Sequence, residues 1–211
     1  MNVRRLRGAR DVPLFSSLLV DPDGEAVVPG DGDIRLLRGW LASDRADALL
    51  ATVRATTVWR RERRKMYDRV VDVPREQAWY GDGPPDLVAG PMHDHVARVR
   101  TALEALTGVR FAYVLFNRYR DGNDSVAWHN DREVAHIPRP VIASLTLGAT
   151  RAFDVRERMN PRRIVSVDLD HGDLLVMSGA AQATYEHRVA KDPRRVGERI
   201  NLTFRQHESE R

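Results

Sequence analysis

Three side chains in this sequence have the types and spacing of metal ligands. His129 and Asp131 lie two residues apart, and a second histidine, His187, comes after a strand-like run further along the chain. Alternate residues of an extended backbone point to the same side, so a strand through His129 and Asp131 would present both side chains to one ion. Two imidazoles and one carboxylate form the facial set that suits non-haem Fe(II) and leaves positions open. The alternative is a solvated His-x-Asp pair on the surface.

A second set of polar residues follows His187, in the sequence Arg-Ile-Asn-Leu-Thr-Phe-Arg at 199–205. Strand alternation places Arg199, Asn201, Thr203 and Arg205 on one face and the apolar residues between them on the other. Because a planar guanidinium holds a carboxylate through two parallel hydrogen bonds, two such arginines near a metal site suit a ligand with two carboxylates. The ligand that fits this description is 2-oxoglutarate.

With these motifs the chain resembles the AlkB-type Fe(II)/2-oxoglutarate dioxygenases, particularly the nucleic-acid demethylases. The resemblance extends from about Pro74 to Gln206. It is strongest in residues 74–81, 117–119, 129–133, 143–151, 169–177 and 199–205. It implies that Fe(II) is bound by the catalytic residues His129, Asp131 and His187, with 2-oxoglutarate and O₂ as cosubstrates.

The resemblance also implies which residues hold 2-oxoglutarate. Asn117 and Tyr119 are two residues apart and share a face of a predicted strand. In the family, residues at these positions help the two arginines, and Asn201 lies on the same strand face as the arginines. Arg199 with Tyr119 is expected to meet the far carboxylate, and Arg205 the carboxylate next to the iron.

Substrate contacts are predicted at four positions. Residues 59–73 combine a basic cluster with aromatic residues, and in family members that act on duplex DNA the matching segment is a lid that inserts a side chain where the base has been flipped out. Tyr67 falls at the inserted position, with Trp59 and Tyr80 as further aromatic candidates. Glu133 stands where the family uses an acidic side chain to receive the amino or imino group of the methylated base.

Other interpretations of the same residues remain open. Residues 59–73 suit a solvated edge hairpin with Trp59 partly in the core, and Glu133 could pair with one of the many arginines. Residues 83–91 contain no aromatic residue where relatives often carry a substrate-contacting pair. Two alternative functions therefore stay in view: the same dioxygenase chemistry on a protein or small molecule, and a non-catalytic nucleic-acid-binding jelly roll.

Strand-like segments with Gly, Asp and Pro turns between them follow one another from Phe111 onward. This pattern favours a mainly β fold with flanking helices (α+β), a double-stranded β-helix or jelly roll, preceded by a nucleotide-recognition lid. We expect residues 1–30 to form an extended or mobile arm and residues 31–211 a single domain. Within that domain the lid covers about 56–90 and the jelly-roll core about 108–206.

Composition sets outer limits on function. The 211 residues include no cysteine, no apolar run long enough for a membrane span and no signal peptide, which predicts a soluble, cytoplasmic, bacterial-type protein that has no membrane partner. A net charge of +4 permits binding to a polyanion without requiring it. We expect a monomer.

The predicted activity is oxidative demethylation of N1-methyladenine or N3-methylcytosine in DNA or RNA, which would make the protein a direct-reversal repair enzyme. Hydroxylation of the N-methyl group would release formaldehyde, with succinate and CO₂ formed from 2-oxoglutarate. Methylated DNA or RNA is accordingly the predicted partner. Both lesions put a positive charge on the base and disturb pairing, which favours an acidic contact at Glu133 and makes extrusion less costly.

Overall fold

Two facing β-sheets dominate the computed structural model, which describes residues 24–28, 33–66, 68–81, 88–134 and 136–206. The strands, in chain order, are β1 (Glu25–Ala26), β2 (Ile34–Leu37), β3 (Arg63–Met66), β4 (Arg69–Asp72), β5 (Glu76–Gly81), β6 (Val88–Gly90), β7 (Phe111–Tyr119), β8 (Val126–His129), β9 (Ile142–Gly148), β10 (Arg151–Glu157), β11 (Ile164–Leu169), β12 (Leu174–Met177), β13 (Tyr185–Val189) and β14 (Arg199–Gln206). Among these residues the larger sheet has the order β1-β2-β12-β9-β14-β7-β5-β6 and the smaller sheet the order β11-β10-β13-β8, while β3 and β4 form a separate hairpin.

Strand β14 lies near the centre of the larger sheet, between β7 and β9, and pairs antiparallel with both. Its side chains alternate as the sequence predicts. Ile200, Leu202 and Phe204 are fully buried in one apolar core, while the polar residues of the strand line a cavity on the opposite face. The register sets Arg199 directly beside Tyr119 of β7.

Two helices cover the outer face of the larger sheet. Helix α1 (Ser43–Thr56) and helix α2 (Asp94–Thr107) bury apolar side chains at helical spacing against β7, β9 and β14. Helix α2 ends at Gly108, whose φ of 73° lies in the left-handed region that glycine adopts readily. No helix in the described ranges is long and apolar enough to span a bilayer.

A second apolar core lies between the two sheets and contains residues such as Phe153, Val155, Leu175 and Val189. Polar and charged residues replace apolar ones along part of the inner face, where the cavity lies. The mainly β fold with flanking helices is thus confirmed, with one core under the helices and one between the sheets.

Parts of the segments predicted as arm and lid contribute strands to the larger sheet. β1 pairs with β2, so Glu25 and Ala26 of the expected arm belong to the larger sheet, and Val27 and Val28 beside them are buried. β5 and β6 also belong to that sheet, so of the expected lid only β3 and β4 stand apart as a hairpin. The sequence around residues 21–32 is rich in turn formers, so the two-residue strand β1 is recognisable only from its pairing with β2. Residues 1–23 and 29–32 lie outside the described residues, and the domain division stays a prediction.

Truncating Leu145 tests the core under the helices. Leu145 is completely buried between β12 and β14, so Leu145→Ala should leave a cavity and lower the free energy of unfolding by about 3 kcal/mol in a denaturant titration. Met159, which is 95% exposed, provides the control, and Met159→Ala should change that free energy by less than about 0.5 kcal/mol. Equal effects of the two substitutions would contradict this description of the core.

Candidate active site

The three predicted metal ligands come together in the structure. Nε2 of His129 lies 3.6 Å, and Nε2 of His187 3.7 Å, from Oδ1 of Asp131. One candidate ligand atom from each residue lies within 4.8 Å of the others, which is the spacing of a shared ion. Among the described residues no other group of three histidines, aspartates or glutamates meets this criterion.

Strand pairing in the smaller sheet aligns the two histidines. His129 of β8 is the direct partner of His187 of β13, and their ring centroids are 4.3 Å apart. Asp131 is different, because β8 ends at His129 and a 3-10 turn begins at Arg132. The sequence argument of one continuous strand through His129 and Asp131 is therefore wrong in its geometry, although both side chains reach the same place.

Both imidazoles are prepared to bind a metal. Nδ1 of His129 lies 2.9 Å from the carbonyl oxygen of Ala127; with the ring proton on Nδ1 donating to that oxygen, Nε2 keeps its lone pair. His187 stacks on Phe153, and burial lowers its pKa to about 4, with Asp131 opposing that shift. At neutral pH His187 is therefore a neutral ligand that need not lose a proton.

Arg205 is the charge partner of Asp131. Its Nη2 lies 3.1 Å from Oδ2 of the carboxylate, and both side chains are only 4% exposed. Burial alone would raise the pKa of Asp131, but Arg205, followed by the two histidines, holds that pKa below its usual value. One carboxylate oxygen thus faces Arg205 while the other faces the two imidazoles.

Arg199 occupies a separate part of the cavity, as the sequence predicts. Its Nη2 donates to Oγ1 of Thr146 at 3.0 Å, and its guanidinium lies 5.2 Å from the ring centroid of Tyr119. Burial lowers its pKa to about 10, so the side chain remains cationic at neutral pH although no carboxylate is paired with it in the described residues.

Buried hydrogen-bond donors without a partner indicate which kind of ligand the cavity could hold. Nε of Arg199, and Nε and Nη1 of Arg205, are buried without a partner among the described residues. A buried donor left unpaired costs about 1–3 kcal/mol, and more when the group is charged. A ligand with two carboxylates would satisfy these donors, so the residues present fit 2-oxoglutarate.

Asn117 and Asn201, both buried, are held by other polar side chains. Oδ1 of Asn117 accepts hydrogen bonds from Nε of Arg75 and Nε2 of Gln77, each at 2.9 Å. Nδ2 of Asn201 donates to Oγ of Ser144, and its Oδ1 accepts from Thr203. These hydrogen bonds fix the orientation of both amides in the cavity wall.

The cavity has a volume of about 920 Å³ and contains both the metal triad and the two arginines. Its wall from β5 and the preceding turn is made by Arg75, Gln77 and Trp79, which alternate with residues facing the helices. Trp79 packs at 5.5 Å from Tyr113, while the guanidinium of Arg205 lies 5.4 Å from the Trp79 ring centroid. The space is large enough for a cosubstrate and an additional planar group.

Two of the predicted substrate contacts are not brought into this cavity. Tyr80 is 4% exposed and packs against Phe116 and His93 in the core under the helices, while Trp59 packs on the same core and lies 6.4 Å from Phe116. The prediction for Tyr80 needs correction, because neighbouring strand residues face opposite ways and Trp79, not Tyr80, faces the cavity.

Of the other two predicted substrate contacts, the structure describes one. Glu133 lines the cavity, with its Oε2 at 3.9 Å from Nη2 of Arg205, and its side chain is 44% exposed. It lies in the 3-10 turn and does not continue a strand, so its position arises from the turn. Tyr67 lies outside the described residues, and its role as an inserted side chain stays a prediction.

The strand that carries His129 is held from its outer face. Trp128 contacts two guanidinium groups, those of Arg156 and Arg188, at 4.2 and 4.5 Å from its ring centroid. Each arginine is also paired, Arg156 with Glu186 and Arg188 with Asp154. Cation–π contacts of this kind contribute about 0.5–1 kcal/mol each at partly exposed sites.

Arg151 secures the loop that leads into β8. This side chain is 2% exposed, and its guanidinium donates to the carbonyl oxygens of Asp121, Asp124 and Ala190 at 2.7–3.0 Å. The contacts join the loop before β8 to the end of β13, which are the two segments that bring the histidines together.

Sequence reasoning missed Gln77 and Trp79 as cavity residues, and Thr146 as the hydrogen-bond partner of Arg199. The signal for Gln77 and Trp79 was present, since both fall at alternate positions of the 74–81 motif. Thr146 carries no such signal, because its importance comes from a contact with Arg199 across two neighbouring strands.

Comparison with known proteins agrees with this geometry. Residues 33–205 match the family described as the 2OG-Fe(II) oxygenase superfamily. The chain belongs to this superfamily. It is 35% identical over 190 residues to the rat and human proteins named alpha-ketoglutarate-dependent dioxygenase alkB homolog 3, which covers 83% of this chain and 64% and 66% of those proteins. It is 36% identical over 147 residues to human DNA oxidative demethylase ALKBH2, covering 63% of this chain and 56% of that protein.

These relatives make the chain an AlkB-type member of the superfamily, which confirms the resemblance seen in the sequence. The chain spans less than two thirds of the length of the alkB homologs it matches. A solved structure, that of OsALKBH1, superposes with a TM-score of 0.58 at 21% identity, covering 82% of this chain and 98% of that one, and supports the fold. Iron, 2-oxoglutarate and O₂ are the cofactor and cosubstrates of the family, and the triad fits Fe(II).

Replacing Arg151 tests the support behind the site. Arg151→Met removes a buried cation and leaves three carbonyl oxygens without their donors, so the free energy of unfolding should fall by about 3 kcal/mol in a denaturant titration. Arg162→Met, at an exposed position, serves as the control and should leave the unfolding midpoint unchanged. A stable Arg151→Met variant would show that the loop before β8 does not depend on this side chain.

Proposed function

We propose that this protein removes N-linked methyl groups from bases of DNA or RNA by oxidation, as a repair enzyme that uses Fe(II), 2-oxoglutarate and O₂. N1-methyladenine and N3-methylcytosine are the proposed lesions. The observation that carries the proposal is the presence, in one cavity, of a His-Asp-His triad and two buried arginines, three of whose N–H-bearing nitrogens have no partner among the described residues. The names of the relatives, which include a DNA oxidative demethylase, support a nucleic-acid substrate.

His129, Asp131 and His187 are the proposed metal ligands and catalytic residues. When bound, iron with 2-oxoglutarate and O₂ supplies the hydroxylation of the N-methyl group, after which the hydroxymethyl group is lost as formaldehyde. Arg205 keeps Asp131 ionised, and the carbonyl of Ala127 keeps the His129 proton on Nδ1. Asp131 and His187 are thus in the protonation states that metal binding requires before the ion arrives.

The cosubstrate roles follow from the positions of the two arginines. Arg205 lies beside Asp131 and is proposed to meet the 2-oxoglutarate carboxylate next to the iron, while Arg199 with Tyr119 holds the far one. Asn117 and Asn201 line the same cavity. Their fixed amides are proposed to shape the space for the chain between the two carboxylates.

A cationic base is the proposed substrate because of the groups at the mouth of the cavity. Glu133 is half-exposed there and can attract the positive ring and accept from its amino or imino group. Trp79 replaces Tyr80 as the proposed aromatic contact, since it faces the cavity. Tyr67 keeps its proposed role of filling the gap left by a flipped base.

The remaining expectations concern the whole protein. We infer a monomer of one dioxygenase domain, with methylated DNA or RNA as its partner and the cytoplasm as its compartment. The chemistry of the cavity suits an isolated base that has been extruded, because the metal triad lies between two sheets where a stacked duplex does not fit.

The decisive measurement is formaldehyde release from matched single- and double-stranded oligonucleotides that carry one N1-methyladenine, with Fe(II), ascorbate and 2-oxoglutarate. We expect release by the wild type and a loss of at least about 100-fold in His129→Ala, because a metal ligand is removed. His95→Ala, an exposed histidine on α2 outside the cavity, should behave as the wild type. Succinate formation without formaldehyde would keep the dioxygenase and move its substrate outside this lesion.

The cosubstrate assignment is tested with Arg199→Lys. Lysine keeps the charge but cannot hold a carboxylate through two parallel bonds, so the 2-oxoglutarate concentration at half-maximal succinate formation should rise roughly 10- to 100-fold. Arg118→Lys provides the matched control, since Arg118 pairs with Glu76 and Glu198 outside the cavity. An unchanged 2-oxoglutarate dependence in Arg199→Lys would remove Arg199 from the cosubstrate site.

A further inference from the structure

The proposed metal ligand Asp131 has a second support that the proposed chemistry does not use. Its backbone N–H donates to Oε1 of Gln182 at 2.8 Å, and Gln182 is 7% exposed. β8 ends two residues earlier, so no β-ladder pairing holds the Asp131 backbone. The glutamine amide takes the place that a neighbouring strand would otherwise have.

Gln182 is itself fixed on the metal side of the smaller sheet. It lies in the short helix α3 (Ala181–Thr184), which leads directly into β13 and therefore to His187 five residues later. Its Nε2 lies 3.4 Å from Sδ of Met177, and its carbonyl oxygen accepts from Nδ2 of Asn130 at 3.1 Å. The side chain and the backbone of one residue thus hold two consecutive residues, Asn130 and Asp131.

These contacts divide the restraint on Asp131 between two elements. Arg205 of β14 holds the carboxylate from the larger sheet, and Gln182 holds the backbone from the segment that carries His187. Without the backbone contact the strongest remaining restraint would be the Arg205 ion pair. That ion pair holds one carboxylate oxygen but not the backbone, so Oδ1 of Asp131 would be held less firmly beside the two imidazoles.

We infer that Gln182 is a positioning residue that sets Asp131 relative to His187 and so determines how tightly the site binds its metal. Gln182 is absent from the residues that line the cavity, so it contacts neither the substrate nor 2-oxoglutarate. The inference rests on the proposed function, because it takes Asp131 and His187 as ligands of one ion. Groups that hold metal ligands from behind commonly change metal affinity by 10- to 100-fold.

The test is a Mn(II) titration of the purified apoprotein, with free Mn(II) followed by electron paramagnetic resonance and no substrate present. Gln182→Met keeps the size of the side chain but removes the acceptor, and it should weaken Mn(II) binding about 10-fold. Gln182→Glu keeps an oxygen that can accept from Asp131 N–H, and it should restore binding to within about 3-fold of the wild type. Methionine and glutamate have a similar size here, so weaker Mn(II) binding in Gln182→Met and recovery in Gln182→Glu would attribute the effect to the hydrogen bond and not to side-chain packing.

Glu104→Met is the matched control. Glu104 on α2 also accepts a backbone N–H, that of Phe111 at 3.0 Å, but it lies under the opposite face of the larger sheet. This variant loses the same kind of hydrogen bond and should bind Mn(II) as the wild type does. Thermal unfolding of each apoprotein shows whether a variant is folded before its affinity is compared.

The outcomes distinguish this inference from the proposed function. A wild type that does not bind Mn(II) would overturn the assignment of the triad itself. Wild-type binding with unchanged affinity in folded Gln182→Met would overturn the inference and leave the triad intact. If Gln182→Met does not fold, Gln182→Asn replaces it, since the shorter amide does not reach Asp131 N–H and should weaken binding where Gln182→Glu does not.

Discussion

Burial of charge is the constraint on which the rest of this structure depends. Two guanidinium groups, those of Arg199 and Arg205, lie between the sheets with almost no solvent contact. Desolvating a charge costs several kcal/mol unless other groups compensate. Asp131 supplies that compensation for Arg205, whereas Arg199 relies on Thr146 and the ring of Tyr119. Nε of Arg199, and Nε and Nη1 of Arg205, have no partner among the described residues, so the protein carries an energetic cost that a dianionic ligand would relieve.

The larger sheet holds the two buried arginines, and the smaller sheet holds the two histidines. The larger sheet, with two helices behind it, provides the rigid strand that fixes both arginines and is held by the more extensive apolar core. The smaller sheet carries two of the proposed metal ligands and places them by the pairing of β8 with β13. Asp131 joins the two, because its carboxylate is paired with the larger sheet and its backbone with the segment before β13. The proposed metal and cosubstrate sites are therefore connected through one residue.

Much of this arrangement is predictable from the sequence, for reasons specific to particular residues. The alternation of residues 199–205 correctly separates cavity-facing arginines from core residues, because a strand between two partners has little freedom to twist away. In residues 74–81 the same alternation distinguishes Trp79, which faces the cavity, from Tyr80, which faces the core under the helices. The strand predicted through Asp131 ends at His129, and Asp131 lies just before a tight turn that only tertiary contacts define. Contacts between distant segments, such as Arg151 with the carbonyls of two loops, leave no local pattern to detect.

Because of the position of β8, a bound metal ion would also stabilise one edge of the smaller sheet. In the described part of the chain β8 is an edge strand of the smaller sheet, with a ladder partner on one side only. Edge strands open more readily than central ones. An ion shared by His129 and His187 would cross-link β8 to β13 and tie the adjoining turn to both. Iron binding and the pairing of β8 with β13 would then be linked equilibria, so that each would favour the other.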